Sequence, residues 1–244
     1  MKLKKLLIVL GSILSFILIV FMAFVCYFGN YYHSTTDEYY FTSTKEVRIV
    51  ETDDYFIFSP AETANIGIIF YPGAKVEYTA YAQMMYKLVM SGYLCVLVDM
   101  PLNFAIFGSD MADDIMLDIA SMSLHDINDW YIMGHSLGGA IAASYASSNK
   151  DKLTGVILLA GYSTSDLVGL EVLSIYGSND KVLNVDKYNE YKNNLGNDYI
   201  EYIIDGGNHA CFGNYGEQKG DGKSTIEKDE QINLTVNKII EFIG

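Results

Sequence analysis

The chain has 244 residues, a formal net charge of −14, half its residues hydrophobic, three cysteines and three prolines. Such a length suits one domain with a short appendage, and such a composition excludes extended disorder outside a few loops. The acidic balance argues against a nucleic-acid partner, and cysteines and histidines without C-x-x-C pairing or clustering imply neither a disulfide framework nor a metal site.

Lys2, Lys4 and Lys5 precede an uncharged apolar stretch from Leu6 to Phe28. As a helix it would be roughly 35 Å long, enough for a hydrocarbon core of about 30 Å. No Lys or Arg follows until Lys45. The positive-inside bias therefore predicts a single-pass cell-membrane anchor over residues 1–28, with a cytoplasmic amino terminus and an extracytoplasmic domain. Tyr27, Phe28, Tyr31 and Tyr32 would form its interfacial belt. A cleaved signal peptide is the competing reading. It calls for a shorter apolar run and an A-x-A-like site, which "AFVCYF" does not offer. A polar linker (29–44) then leads into the main domain (45–244).

Within that domain "KEVRIVE" and "DYFIFS" read as hairpin strands, and "NIGIIFY" as a buried central strand. "TAYAQMMYKLVMSG" has helical spacing and ends at Gly92. The strand "YLCVLVDM" comes next. The helix "SDMADDIMLDIASMSL" follows, with Ser109 or Asp110 as N-cap, and then the strand "DWYIMG". A small-residue helix, "SLGGAIAASYASSN", precedes two strands, "LTGVILLAGY" and "LEVLSIYG". A helix over "VDKYNEYKNNLG", a strand over "DYIEYIIDGG" and a last helix over about 225–243 complete the chain. Alternation of this kind predicts a mostly parallel, doubly wound α/β sheet with helices on both faces. Ligands of such sheets sit beyond the carboxyl ends of the strands. Pro72 and Pro101 each follow a predicted strand and mark that edge.

At that edge lies Gly134-His135-Ser136-Leu137-Gly138. A strand that turns sharply into a helix crowds the positions two residues before and after the corner. Glycine at both relieves the clash and leaves the serine hydroxyl exposed. The helix start offers free N–H groups and a positive dipole end. A serine needs a base to become a nucleophile. Of the four histidines, His33 lies near the predicted anchor and His125 between a helix and a strand. His135 should leave the corner in another direction. His209, in "IIDGGNHACFG", follows the last strand and is the best base. Asp180, in "IYGSNDKV", is the preferred acid, with Asp205 as its rival. An oxyanion would be met by Leu137 N–H and by a donor from Pro72-Gly73-Ala74-Lys75: Ala74 first, Lys75 second.

These segments, together with "FYPGAKVEYTAYAQMMYKLVMSGYLCVLVDMPLNFAIFG" and "GGNHACFGNYGEQKGDG", resemble the α/β-hydrolase superfamily. They are closest to a small lidless bacterial subgroup with a long histidine loop. The resemblance implies an α/β-hydrolase fold, a Ser136–Asp180–His209 triad and hydrolysis of an ester or related acyl bond, without a cofactor. Two positions depart from it: Pro72, where many members carry histidine, and Cys211, where the subgroup suggests glutamine. Only about seven residues separate "GVILLAGY" from "LEVLSIYG", too few for a helical cap. The substrate, a small-molecule or surface acyl compound, is then expected against Gly73, Lys75, Asn103 and Phe107. Acyl transfer and peptide hydrolysis are variants of the same chemistry. A non-catalytic binding module on the same scaffold is the reading from a different class.

Overall fold

A computed structural model describes residues 2–123 and 125–244. The chain divides into two units, Met1–Tyr31 and Tyr32–Gly244. The first is a helix, α1 (Lys2–Phe28). Among the described residues, no helix is long and apolar enough to cross a membrane. The expected run from Leu6 begins on side chains, 6–9, that lie outside the described residues. This finding corrects the expectation of a transmembrane helix, of a membrane partner and of single-pass localisation with an extracytoplasmic domain.

The second unit is built on one eight-stranded sheet of order β1-β2-β4-β3-β5-β6-β7-β8. Strands β1 (Val47–Glu51) and β2 (Tyr55–Pro60) form the expected hairpin, and β2 runs antiparallel to β4 (Leu94–Val98). From β4 onward every pairing is parallel: β3 (Ile66–Tyr71), β5 (Asp129–His135), β6 (Gly155–Leu159), β7 (Glu171–Gly177) and β8 (Ile200–Ile204). The period of two sends alternate side chains to opposite faces. Ile68 and Phe70 pack in one apolar cluster with α2 (Ala82–Val89) and α6 (Lys228–Ile243). Ile69 and Tyr71 pack in the other with α3 (Met111–Met122) and α4 (Leu137–Ser148). A fifth domain helix, α5 (Val185–Tyr191), tightens into a 3₁₀ turn over Lys192–Leu195.

Strand order reverses at β3. The loop after β3 and the loop after β5 therefore emerge side by side, with Tyr71 paired to Gly134. That is where a doubly wound sheet opens a crevice. Among the described residues, no helix interrupts the connection between β6 and β7. The polar segment after α1 is tied to the same edge: Tyr32 and Val76 form a parallel bridge, and Thr35 N–H donates to Asn214 C=O.

Candidate active site

Ser136 stands in the N-cap position of α4 with φ 54° and ψ −123°. A non-glycine residue held there costs of order 1–3 kcal/mol and persists only where its surroundings fix it. The fixing is steric. A Cβ on Gly134 would lie 2.5 Å from the Gly138 backbone, and one on Gly138 would collide with the carbonyls of Tyr71 and Pro72. Helix α4 can thus press against β3 and β5, and the turn has no other course. Leu137 N–H belongs to the first turn of α4, where amides lack an intrahelical acceptor.

His209 follows β8 and is 1% exposed; Asp180 follows β7 and is 5% exposed. His209 Nδ1 lies 2.8 Å from Asp180 Oδ2. The other carboxylate oxygen, Oδ1, accepts the N–H groups of Val182 and Leu183, both at 2.8 Å. A carboxylate so engaged is an acceptor, which places the proton of neutral His209 on Nδ1 and a lone pair on Nε2. Nε2 is buried and carries no hydrogen bond among the described residues. His209 and Ser136 line one cleft of about 310 Å³. Asp205, the rival acid, is exposed and accepts a hydrogen bond from Ser178 Oγ at 3.3 Å.

In the loop after β3, Gly73 N–H donates to Tyr81 Oη at 3.3 Å and Lys75 N–H donates to Asn103 C=O at 2.8 Å. Among the described residues Ala74 N–H has no acceptor, so of the three amides it alone is uncommitted. Asn103 braces this loop through its backbone, in the left-handed region with φ 58°. Phe107 is 54% exposed and lies on the short turn after β4. Neither Asn103 nor Phe107 lines the cleft shared by Ser136 and His209, and nor do Gly73, Ala74 and Lys75. Its walls come from Ala160, Tyr162, Val182 and Leu183 instead. The Tyr162 ring stacks on Tyr191 at 5.9 Å.

Several contributors had no sequence signal beyond lying near the motifs. His135, expected to leave the corner, has its ring centroid 4.5 Å from that of His209. Burial, and then the adjacent His209, hold it well below the usual histidine range. Asp221 braces two loops at once: Oδ2 accepts Ala210 N–H at 2.9 Å and Oδ1 accepts Lys181 N–H at 3.3 Å. Gln231 exchanges two hydrogen bonds with the Asn208 backbone. The unusual tail "NYGEQKGDG" was the only hint of the Asp221 brace. Cys211 is half-buried, and burial raises its thiol pKa. His125 serves the far side of the sheet, where Nδ1 accepts Ala64 N–H and Nε2 meets Ser59 Oγ at 2.7 Å. Among the described residues no group of His, Cys, Asp and Glu is arranged to hold a metal ion.

The strand order, the strained serine corner and the carboxylate–imidazole pair on one sheet edge define an α/β-hydrolase fold. The alpha/beta hydrolase family model matches residues 67–233, and the chain belongs to that family. No curated protein matches the chain. Among solved structures, a carboxyl esterase from the mycorrhizal fungus Tuber melanosporum is similar with a TM-score of 0.62 and 13% identity, covering 86% of this chain and 91% of the esterase. An esterase from Pyrobaculum calidifontis gives 0.62 and 15%, covering 82% and 86%. A thermostable esterase from Pseudomonas putida gives 0.56 and 15%, covering 73% and 77%. At such identities the likeness is one of fold.

Proposed function

We propose that the chain is a serine hydrolase that cleaves an ester or related acyl bond through Ser136, His209 and Asp180, within a catalytic domain over 45–244. The observation that carries this reading is the hydrogen-bond state of His209, whose Nδ1 is bound to a fixed carboxylate and whose Nε2 is unengaged, in a residue that lines one cleft with the strained Ser136. His209 Nε2 takes the proton of Ser136 Oγ as the oxygen attacks the acyl carbon. The resulting oxyanion is met by Leu137 N–H and Ala74 N–H, while Asp180 steadies the imidazolium. His209 then returns the proton to the leaving oxygen, and water releases the acyl group by the same steps in reverse.

The cleft favours a small, uncharged acyl group. Its lining holds no Lys, Arg, Asp or Glu, and Val182, Leu183 and Tyr162 supply apolar wall. Lys75, Asn103 and Phe107 would touch only the leaving part of a larger substrate. The esterase names of the structural neighbours agree with ester hydrolysis. The long histidine loop supports a place in a small lidless bacterial subgroup. A panel of p-nitrophenyl esters of graded length tests the reading. Turnover should be greatest for the shortest acyl chains and absent in Ser136→Ala. Hydrolysis that persists in Ser136→Ala would refute it.

A further inference from the structure

Tyr81 contributes the best-placed polar group behind the cleft that the proposed reaction does not use. Its side chain is fully buried. Gly73 N–H donates to its Oη at 3.3 Å, and the same oxygen lies 2.8 Å from His135 Nδ1. A Cβ on Gly73 would sit 2.8 Å from His135 Nδ1 and 3.0 Å from Tyr81 Oη, so the three groups meet without spare room. The Tyr81 ring is itself held by Phe70, with centroids 4.7 Å apart.

Burial keeps the phenol protonated by raising its pKa far above the ordinary value. Gly73 N–H can only donate. The Tyr81 Oη–His135 Nδ1 bond runs either from the phenol to a ring protonated at Nε2 or from a protonated Nδ1 to the phenol oxygen. The first arrangement leaves His135 Nε2–H buried without an acceptor among the described residues, and the second leaves the phenol proton so. One hydroxyl thus joins a turn that leaves β3 to a turn that leaves β5.

We propose that Tyr81 is a positioning residue for the reaction assigned to Ser136: its hydroxyl ties the Gly73 turn, which carries the Ala74 amide, to His135 in the nucleophile's own turn. The inference rests on the hydrolase reading. With Gly73 N–H on Tyr81 and Lys75 N–H on Asn103, Ala74 N–H is left to meet the oxyanion. Without the hydroxyl, Gly73 N–H is a buried donor with no acceptor. The turn then shifts to satisfy it, and the Ala74 amide shifts with it. Tyr81 touches neither substrate nor reacting atoms; it acts through the geometry of the two turns.

Hydrolysis of p-nitrophenyl acetate by the full chain tests this, with Ser136→Ala as the control. Tyr81→Phe should lower kcat roughly tenfold to a hundredfold and leave KM within about twofold, because an amide displaced by a fraction of an ångström loses transition-state contact and not ground-state binding. His135→Leu, which removes the ring partner, should lose kcat to a similar degree. His135→Asn, whose carboxamide oxygen can accept the Tyr81 proton, should recover most of that loss. A cooperatively folded Tyr81→Phe variant with wild-type kcat overturns the proposal. If Tyr81→Phe does not fold, the His135 pair decides: equal activity in the Leu and Asn variants overturns it. A wild type that is no more active than Ser136→Ala means that the hydrolase reading has failed, and this inference with it. Wild-type turnover with an unaffected Tyr81→Phe defeats the inference alone.

Discussion

The turn that carries Ser136 and the loop that carries His209 reach one cleft by different physical means. The serine turn is held by contact between backbones: helix α4 lies so close to β3 and β5 that Gly134 and Gly138 have no space for a Cβ. The histidine loop is held by side-chain hydrogen bonds from elsewhere. Asp221 grips Ala210 and Lys181, Gln231 grips Asn208, and Asn214 Nδ2 donates to Gln83 Oε1 at 2.7 Å. Steric confinement fails abruptly when one methyl group is added. A hydrogen-bonded loop loosens by degrees as its ties are cut. The two regions should therefore answer mutation differently.

The largest effect is expected where both regions converge. Asp180→Asn leaves the loop standing but removes the charge that steadies His209, and kcat should fall about 10⁴-fold. Asp205→Asn should stay close to wild type, since that carboxylate is exposed and accepts from Ser178 Oγ rather than from a histidine. The reverse ranking, measured on the same ester, would reassign the acid.

Next comes the steric side of the comparison. Gly138→Ala should cost about 3 kcal/mol or more of stability, because its Cβ meets two carbonyls that cannot retreat. Urea denaturation measures this. A variant as stable as wild type would show that the turn is not confined by contact. Asp221→Ala should cost less, about 1–3 kcal/mol, since loop amides lose charged acceptors but can turn to water. It should also lower kcat by roughly an order of magnitude as Ala210, and with it His209, loses its place. A change in stability without any change in kcat would separate Asp221 from the placing of His209.

How far each region could be read in the sequence follows from the same contrast. Contact between backbones demands particular residues at fixed offsets, so Gly134, Ser136 and Gly138 announced the turn. The alternation of apolar strands and helices announced the sheet around it. His209 and Asp180 could be singled out because the loops that follow the last two strands share one sheet edge. Side-chain ties between distant segments leave no spacing to read. Asp221, Gln231 and Tyr81 reach their partners only once the chain has folded, and His135 gave no sign that its ring would lie against His209. Asn103 and Phe107 were expected in the cleft because they follow a strand. The left-handed backbone at Leu102 and Asn103 belongs instead to a brace for the Lys75 turn. The apolar stretch of α1 illustrates the converse, in which composition alone suggested a span that the described helix does not make.

The smallest predicted effect concerns pH. Burial holds both His125 and His135 below the usual histidine value. As pH falls through about 6.5 the unfolded chain takes up protons that the folded chain refuses, so stability present above that pH is lost on acidification. The melting temperature should therefore drop between about pH 7.5 and 5.5, and the drop should be smaller in His135→Asn. Equal drops in the two proteins would mean that His135 does not resist protonation.

The most direct measurement is intact-mass spectrometry after treatment with a fluorophosphonate, which bonds covalently only to an activated serine. One adduct on the wild type, located at Ser136, missing in Ser136→Ala and formed far more slowly in His209→Gln, is the predicted result. No adduct on the folded wild type, or an adduct that survives Ser136→Ala, would contradict the assignment of that hydroxyl as the nucleophile.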